Sequence, residues 1–150
     1  MRCYRSNVSR FLTMQTHLFS PYLQCNVSLV GQWIEEAKSK LKDPGLVYSY
    51  HGGGRNRNSK TLAANSIVVT TYETLASDAT YHANRSGEGA EYASPCEQVR
   101  WWRIICDESH SIRSRGGKAD AVLDLVSGNK WLVSGKSNLG MTFCSLLCHC

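Results

Sequence analysis

The chain has 150 residues, of which 42% are hydrophobic and 19% are charged, and it carries a formal net charge of +5. This composition is typical of one soluble globular domain and excludes a disordered chain. No apolar stretch approaches the roughly 20 residues that a membrane-spanning helix needs, so no membrane partner is expected. The basic balance favours an anionic partner.

In chain order, the first 24 residues show no clear period and stay unassigned, and the apolar run from Val27 to Val30 is predicted to end a strand. Predicted strands then occupy four segments, residues 46–50, 66–71, 102–106 and 130–134. Predicted helices occupy residues 31–41, 55–65, 118–126 and a segment that begins at Tyr72. The polar stretch 79–95 is predicted to be a surface insertion.

The alternation of strands and helices predicts an α/β fold with a parallel sheet that has helices on both faces. Trp33 and Trp131 are predicted to be core residues rather than surfaces for stacking on bases. Cys25 and Cys106 are predicted to be small buried hydrophobic residues. Seven scattered cysteines favour a reducing compartment over a disulfide scaffold.

Polar clusters follow three of the predicted strands, at residues 70–72, 107–110 and 134–135. In an open α/β sheet, ligands bind at the carboxyl ends of the strands, which makes a shared site there the favoured interpretation. Asp107 and Glu108 follow the run WWRIIC. The first carboxylate of such a pair suits Mg²⁺, and the second suits an attacking water.

A second cluster is basic. Arg55, Arg57 and Lys60 lie close together in the sequence. Two interpretations stay open: a phosphate-binding patch, or a solvated basic face without a ligand.

Four segments together resemble the first RecA-like lobe of the Swi/Snf-type helicase-like ATPases, in the same order and with similar spacing. Residues 27–33 (VSLVGQW) resemble motif Ia, and residues 67–75 (IVVTTYETL) resemble the conserved block that follows it. Asp107-Glu108-Ser109-His110 resembles motif II, the Walker B segment, and residues 131–135 (WLVSG) resemble the start of motif III. The insertion before motif II is similar to the branch that carries RING ubiquitin-ligase domains and acts in DNA damage tolerance.

The resemblance implies a role for each matching residue. Asp107 would bind Mg²⁺, Glu108 would position the water that attacks the γ-phosphate of ATP, and His110 would couple the nucleotide site to DNA. The motif III residues Ser134 and Gly135 are expected to be nucleotide-binding. The residues expected near DNA are Ser28, Gln32, Thr70 and Thr71, with Arg55, Arg57 and Lys60 as the basic patch.

The sequence also departs from this family. No segment matches the phosphate-binding loop G-x-x-x-x-G-K-[ST], and no second motor lobe follows motif III. We therefore expect a partial P-loop NTPase-type lobe at residues 25–135, with an unassigned leader at 1–24 and a Cys-rich tail at 136–150. A truncated or misassembled gene product accounts for these departures. The tail residues Cys144, Cys148, His149 and Cys150 match no common zinc-finger spacing, so zinc is not expected.

Two functions remain open from the sequence. The first is a fragment of an ATP-dependent DNA translocase of chromatin remodelling or DNA repair, with ATP, Mg²⁺ and DNA as ligands and a nuclear location. The alternative is a non-catalytic module that binds DNA or protein and derives from the same lobe. The missing phosphate-binding loop favours the second for the isolated chain. An acid-poor start with Arg2, Arg5 and Arg10 leaves an organelle transit segment as the alternative location.

Overall fold

The computed structural model describes residues 20–85, 93–112 and 116–134, without the side chains of residues 82–85. Its main sheet has five strands, which are β1 (Pro21–Cys25), β2 (Val47–Tyr50), β3 (Ile67–Thr71), β5 (Arg103–Cys106) and β7 (Lys130–Leu132). They lie in the order β2-β3-β1-β5-β7, and every neighbouring pair is parallel. Two shorter strands, β4 (Arg100–Trp101) and β6 (Val126–Ser127), form a separate parallel pair.

Helices connect these strands, and the sequence prediction of strand–helix alternation is confirmed. The helices are α1 (Val30–Lys40), α2 (Ser59–Ala63), α3 (Tyr72–Arg85) and α4 (Gly117–Leu123). Short 3-10 turns occupy Val27–Leu29, Pro44–Leu46 and Ser109–Ile112. Among the described residues, no helix is long and apolar enough to cross a membrane.

Both faces of the sheet are covered, as predicted. On one face, α2, α3 and α4 pack on a core that includes Tyr22, Ile104 and Cys106. On the opposite face, α1 packs on a smaller cluster around Leu23 and Val69. Because side chains alternate along a strand, β1 supplies Tyr22 to the first core and Leu23 to the second. The predicted burial of Cys25 and Cys106 is confirmed.

The central strand β1 lies largely in the segment that the sequence left unassigned. Strand β1 pairs with both β3 and β5, and it is buried on both faces. Such a strand shows no polar–apolar alternation, and the buried Gln24 interrupts its apolar run. The prediction that residues 27–30 end a strand is wrong, since Val27–Leu29 is a 3-10 turn that leads into α1.

Two other predicted boundaries differ from the structure. Helix α3 continues to Arg85, so the first part of the predicted insertion at 79–95 is helical. Thr71 caps this helix by accepting the Thr74 N–H at 3.1 Å. The predicted helix at 55–65 forms only from Ser59, where the Asn58 side chain accepts the Lys60 N–H.

Candidate nucleotide and DNA site

The candidate site is built around Asp107, which directly follows the buried strand β5. The Asp107 N–H donates to the carbonyl of Gln24 at 2.8 Å and so continues the β1–β5 ladder past the last strand residue. Asp107 therefore lies at the carboxyl end of a central parallel strand, as predicted from the sequence.

Both carboxylate oxygens of Asp107 accept a hydrogen bond. Oδ2 accepts from the indole Nε1 of Trp33 at 2.8 Å, and Oδ1 accepts from the Glu108 N–H at 2.9 Å. The Tyr72 hydroxyl donates to the Asp107 carbonyl at 2.7 Å. Burial raises the pKa of Tyr72, which keeps this hydroxyl a donor. Helix α1 and helix α3 thus hold the same residue from two sides.

The turn after Asp107 is attached to the end of β7. The Ser109 N–H and its hydroxyl both donate to the Val133 carbonyl, at 3.0 and 3.1 Å. In return, the Val133 N–H donates to the carbonyl of Cys106 at 2.9 Å. This pairing brings the half-buried Ser134 to the same edge of the sheet as Asp107. Gly135 lies outside the described residues.

Glu108 has a left-handed backbone, with φ of 49°. Its Oε2 lies 2.8 Å from Nδ1 of His110, in a close contact that lacks the alignment of a directed hydrogen bond and is an ion pair only when the imidazole is protonated. Both side chains are about one-third exposed, at 36% and 31%. The predicted water-positioning residue therefore lies at the surface, on strained backbone.

This strain gives a testable difference between two variants of Glu108. A left-handed residue with a Cβ costs roughly 1–2 kcal/mol, and glycine avoids most of that cost. We therefore expect Glu108→Gly to be more stable than Glu108→Ala by about 1 kcal/mol in chemical denaturation, since both variants lose the same side-chain contact. An alanine variant as stable as the glycine variant would show that the backbone is relaxed in solution.

The residues present fit Mg²⁺. Asp107 is half-buried, and each of its oxygens keeps a second lone pair beside the bond that it accepts. Mg²⁺ in nucleotide sites takes one or two carboxylates and completes its shell with water and phosphate oxygens. Within the described residues, no group of three or more His, Cys, Asp or Glu side chains is placed to hold a metal by itself. The tail cysteines lie outside the described part.

The residues present do not fit the phosphates of ATP. The glycine-rich loop at residues 52–54 follows β2, and β3 and β1 separate that strand from β5. Three strand spacings place this loop about 14 Å from the strand that carries Asp107. This loop lacks the lysine of the phosphate-loop pattern, and no segment of the sequence matches that pattern.

The threonine cluster after β3 is part of the protein interior. Thr70 and Thr71 are fully buried. The Thr70 hydroxyl donates to the Tyr50 carbonyl at 2.7 Å, and the Thr71 hydroxyl pairs with that of Thr74 at 2.9 Å. Both hydroxyls are engaged within the domain, so we leave these two residues out of the DNA-contacting set proposed below.

Ser28 and Gln32 are exposed, as a DNA-facing role requires. Ser28 lies in the turn that precedes α1, and Gln32 lies in the first turn of that helix. This end of α1 follows the carboxyl end of β1, so it occupies the same sheet edge as Asp107.

Two of the three residues of the predicted basic patch pair with a buried acid. Arg55 Nη2 and Arg57 Nε both pair with Asp78, which is fully buried, and the Tyr50 hydroxyl donates to the same carboxylate. The Arg55 side chain is only 8% exposed, so it serves as an internal partner and is left out of the DNA-contacting set. Arg57 is 41% exposed, and Lys60 lies on the surface.

Sequence reasoning missed two residues of this region. Asp78 follows Thr74 and Leu75 by one helical turn, so it shares their buried face of α3, and an acid on an apolar helix face is the available signal. The predicted core position of Trp33 agrees with its half-buried ring, but its indole N–H also reaches Asp107. The predicted core position of Trp131 is wrong, since this side chain is 49% exposed and stacks on Arg103.

Comparisons with known proteins agree with this architecture. A sequence model described as the SNF2-related domain matches residues 17–138. DNA repair protein RAD5A of Arabidopsis thaliana is 34% identical over 113 residues, and the human helicase-like transcription factor is 33% identical over 114 residues. Each alignment covers 74% of this chain and 10% of the relative, so the chain spans about a tenth of the length of these curated relatives.

Two solved structures share the fold. The SWI2/SNF2 ATPase core of Sulfolobus solfataricus, solved in complex with dsDNA, matches with a TM-score of 0.57 and 25% identity, over 79% of this chain and 22% of that chain. The Hef helicase domain of Pyrococcus furiosus matches with a TM-score of 0.59 and 17% identity, over 92% of this chain and 28% of that chain. They confirm the predicted RecA-like α/β architecture. The fold, the position of residues 107–110 after the carboxyl end of β5, and the match over residues 17–138 together show that the chain belongs to the SNF2-related domain family.

Proposed function

We propose that this chain is a segment of the nucleotide-binding lobe of a DNA-dependent ATPase that acts in DNA repair or chromatin remodelling. The observation that carries the proposal is the position of Asp107 and Glu108 at the carboxyl end of β5 in a chain of the SNF2-related family. The proposed location is the nucleus. A second motor lobe and a RING domain would have to lie outside these 150 residues.

In this proposal Asp107 holds Mg²⁺, which supplies Lewis-acid stabilisation of phosphate charge when bound. Glu108 orients a water, and its contact with His110 links that carboxylate to the 3-10 turn Ser109–Ile112. Ser134 follows β7 at the same edge. Together with Gly135, which lies outside the described residues, it would complete the nucleotide-facing set. These residues supply the metal and water end of an ATPase site.

The isolated chain is proposed to be inactive as an ATPase and to act as a DNA-binding module. The absence of the phosphate-loop pattern from the sequence favours this second candidate function. Its DNA-facing surface would consist of Ser28, Gln32, Arg57 and Lys60. Exposed hydroxyl, amide and cationic groups at the start of helices suit phosphate oxygens.

We expect salt-sensitive DNA binding that Lys60 strengthens. Two phosphate contacts, from Arg57 and Lys60, would lower the affinity roughly 12-fold between 50 and 200 mM salt, because each contact releases condensed counterions. Titration of labelled duplex DNA at both salt concentrations measures this effect. Lys60→Ala should weaken binding and reduce the salt slope by about one contact.

Lys42 provides the matched control for Lys60. It is exposed and lies between the end of α1 and the start of β2, which places it at the sheet edge opposite Asp107. Lys42→Ala removes the same charge and should leave the salt slope unchanged. Equal effects of the two variants would indicate general charge attraction, and no binding at 50 mM salt would contradict the proposed function.

A further inference from the structure

The hydrogen bond between Trp33 and Asp107 joins residues 74 positions apart in the sequence. One partner is the proposed metal ligand, and the other lies beside Gln32 in the first part of α1. We propose that Trp33 is a positioning residue for Asp107, and that it couples the DNA-facing end of α1 to the metal site. This inference rests on the proposed function.

The geometry supports positioning because the carboxylate of Asp107 is fixed at both oxygens. Oδ1 is held by the N–H of the next residue, whose backbone moves with Asp107 itself. Oδ2 is held by Trp33, the partner that belongs to a different element. The orientation of the carboxylate therefore depends on where α1 lies.

The position of Trp33 is itself well defined. Its ring packs against the cluster formed by Leu23, Cys25, Val30 and Val69 on the α1 face of the sheet. Gln32 and Trp33 are neighbours on one helical turn, with Gln32 exposed and Trp33 half-buried. A contact that shifts this turn changes the Trp33–Asp107 bond, and hydrogen bonds to charged groups are sensitive to distance and angle.

Coupling of this kind must be reciprocal. If DNA at α1 changes the affinity of Asp107 for a divalent cation, the cation changes the affinity for DNA by the same factor. Allosteric couplings commonly amount to about 5-fold or more. A purely structural role for Trp33 would produce no such linkage.

The bond is tested by the indole N–H signals of the ¹⁵N-labelled chain. Trp33→Phe identifies the Trp33 signal among those of the four tryptophans. Asp107→Ala should shift the Trp33 signal and leave the others in place, whereas Glu108→Ala, the matched control, should leave all four in place. A Trp33 signal that Asp107→Ala does not move overturns the positioning role, whatever the outcome of DNA binding.

The coupling is tested with Mn²⁺, a paramagnetic substitute for Mg²⁺. Mn²⁺ should broaden the Trp33 signal in the wild-type chain and not in Asp107→Ala, and duplex DNA should shift the midpoint of this broadening by about 5-fold or more. In Trp33→Phe, the effect of Mn²⁺ on the affinity for DNA should fall to the level seen in Asp107→Ala, where only competition for the DNA phosphates remains. An unchanged midpoint, or an equal Mn²⁺ effect in Trp33→Phe, overturns the coupling. Absence of any DNA binding defeats the coupling together with the proposed function, and the Asp107→Ala shift still decides the positioning role.

Discussion

Replacement of Asp78 by alanine is expected to lower the free energy of unfolding by about 3–5 kcal/mol, the cost of removing one partner from a buried ion pair. Asp78 is fully buried and accepts from Arg55, Arg57 and Tyr50. Without the Asp78 carboxylate, the charged guanidinium of Arg55, a side chain only 8% exposed, would remain buried without its acidic partner. The loss is a large part of the 5–15 kcal/mol that stabilises an ordinary domain.

Urea denaturation measures this effect, with Glu36→Ala as the matched control. Glu36 also pairs with a cation, Lys40 at 3.5 Å, but that pair is exposed and contributes only a few tenths of a kcal/mol. Asp78→Asn keeps the shape and removes the charge, so it should still destabilise strongly. A cost below about 1 kcal/mol for Asp78→Ala would contradict the burial of this pair.

The same carboxylate sets a pH dependence of stability. Burial acts to raise the pKa of Asp78, but hydrogen bonds from Arg55 and Tyr50 and the charge of Arg55 outweigh it and hold the pKa below its usual value of 3.8. A group with a lowered pKa in the folded state stabilises the fold fully above its unfolded pKa. That contribution is lost as the pH falls through the folded pKa, so denaturation below pH 4 should be less pronounced in Asp78→Asn.

The sequence predicted the strands that carry a strong local signal. The β-branched run of β3 and the apolar run of β5 gave both the strands and the location of Asp107 at a strand end. Strand β1 escaped prediction because it is buried on both faces and contains a polar residue, Gln24. This segment forms a strand because it pairs with β3 and β5, and no local sequence pattern indicates that pairing.

The sequence predicted the location of the candidate site residues along the sheet better than it predicted the contacts of their side chains. The sequence placed Thr70 at the carboxyl end of a strand, as the structure has it, and Arg55 in a basic patch. Their partners, the Tyr50 carbonyl and Asp78, come from other elements, and those contacts bury both side chains. In the same way, the tie between Trp33 and Asp107 is a tertiary contact that helical periodicity cannot indicate.

ATP hydrolysis by the isolated chain is expected to be negligible, although Asp107 and Glu108 follow the carboxyl end of β5. Phosphoryl transfer depends mainly on positioning and charge stabilisation. No segment of this sequence matches the phosphate-loop pattern that would hold the β- and γ-phosphates. An arginine finger is worth roughly 10³–10⁵ in rate in phosphoryl-transfer enzymes. This chain corresponds to 22% of the solved SWI2/SNF2 core that it resembles, so an assay of the isolated chain lacks any finger that the rest of such a core would supply. The combined loss should leave no turnover above background.

Phosphate release by the purified chain, with and without duplex DNA, tests this account most directly. The double variant Asp107→Ala, Glu108→Ala is the control, since it removes both carboxylates that are proposed to hold the metal and the water. We expect the wild-type chain and the double variant to release phosphate at the same background rate, and DNA to have no effect on either. DNA-stimulated release that the double variant abolishes would contradict the account, because it would mean that another segment of this chain supplies the phosphate site.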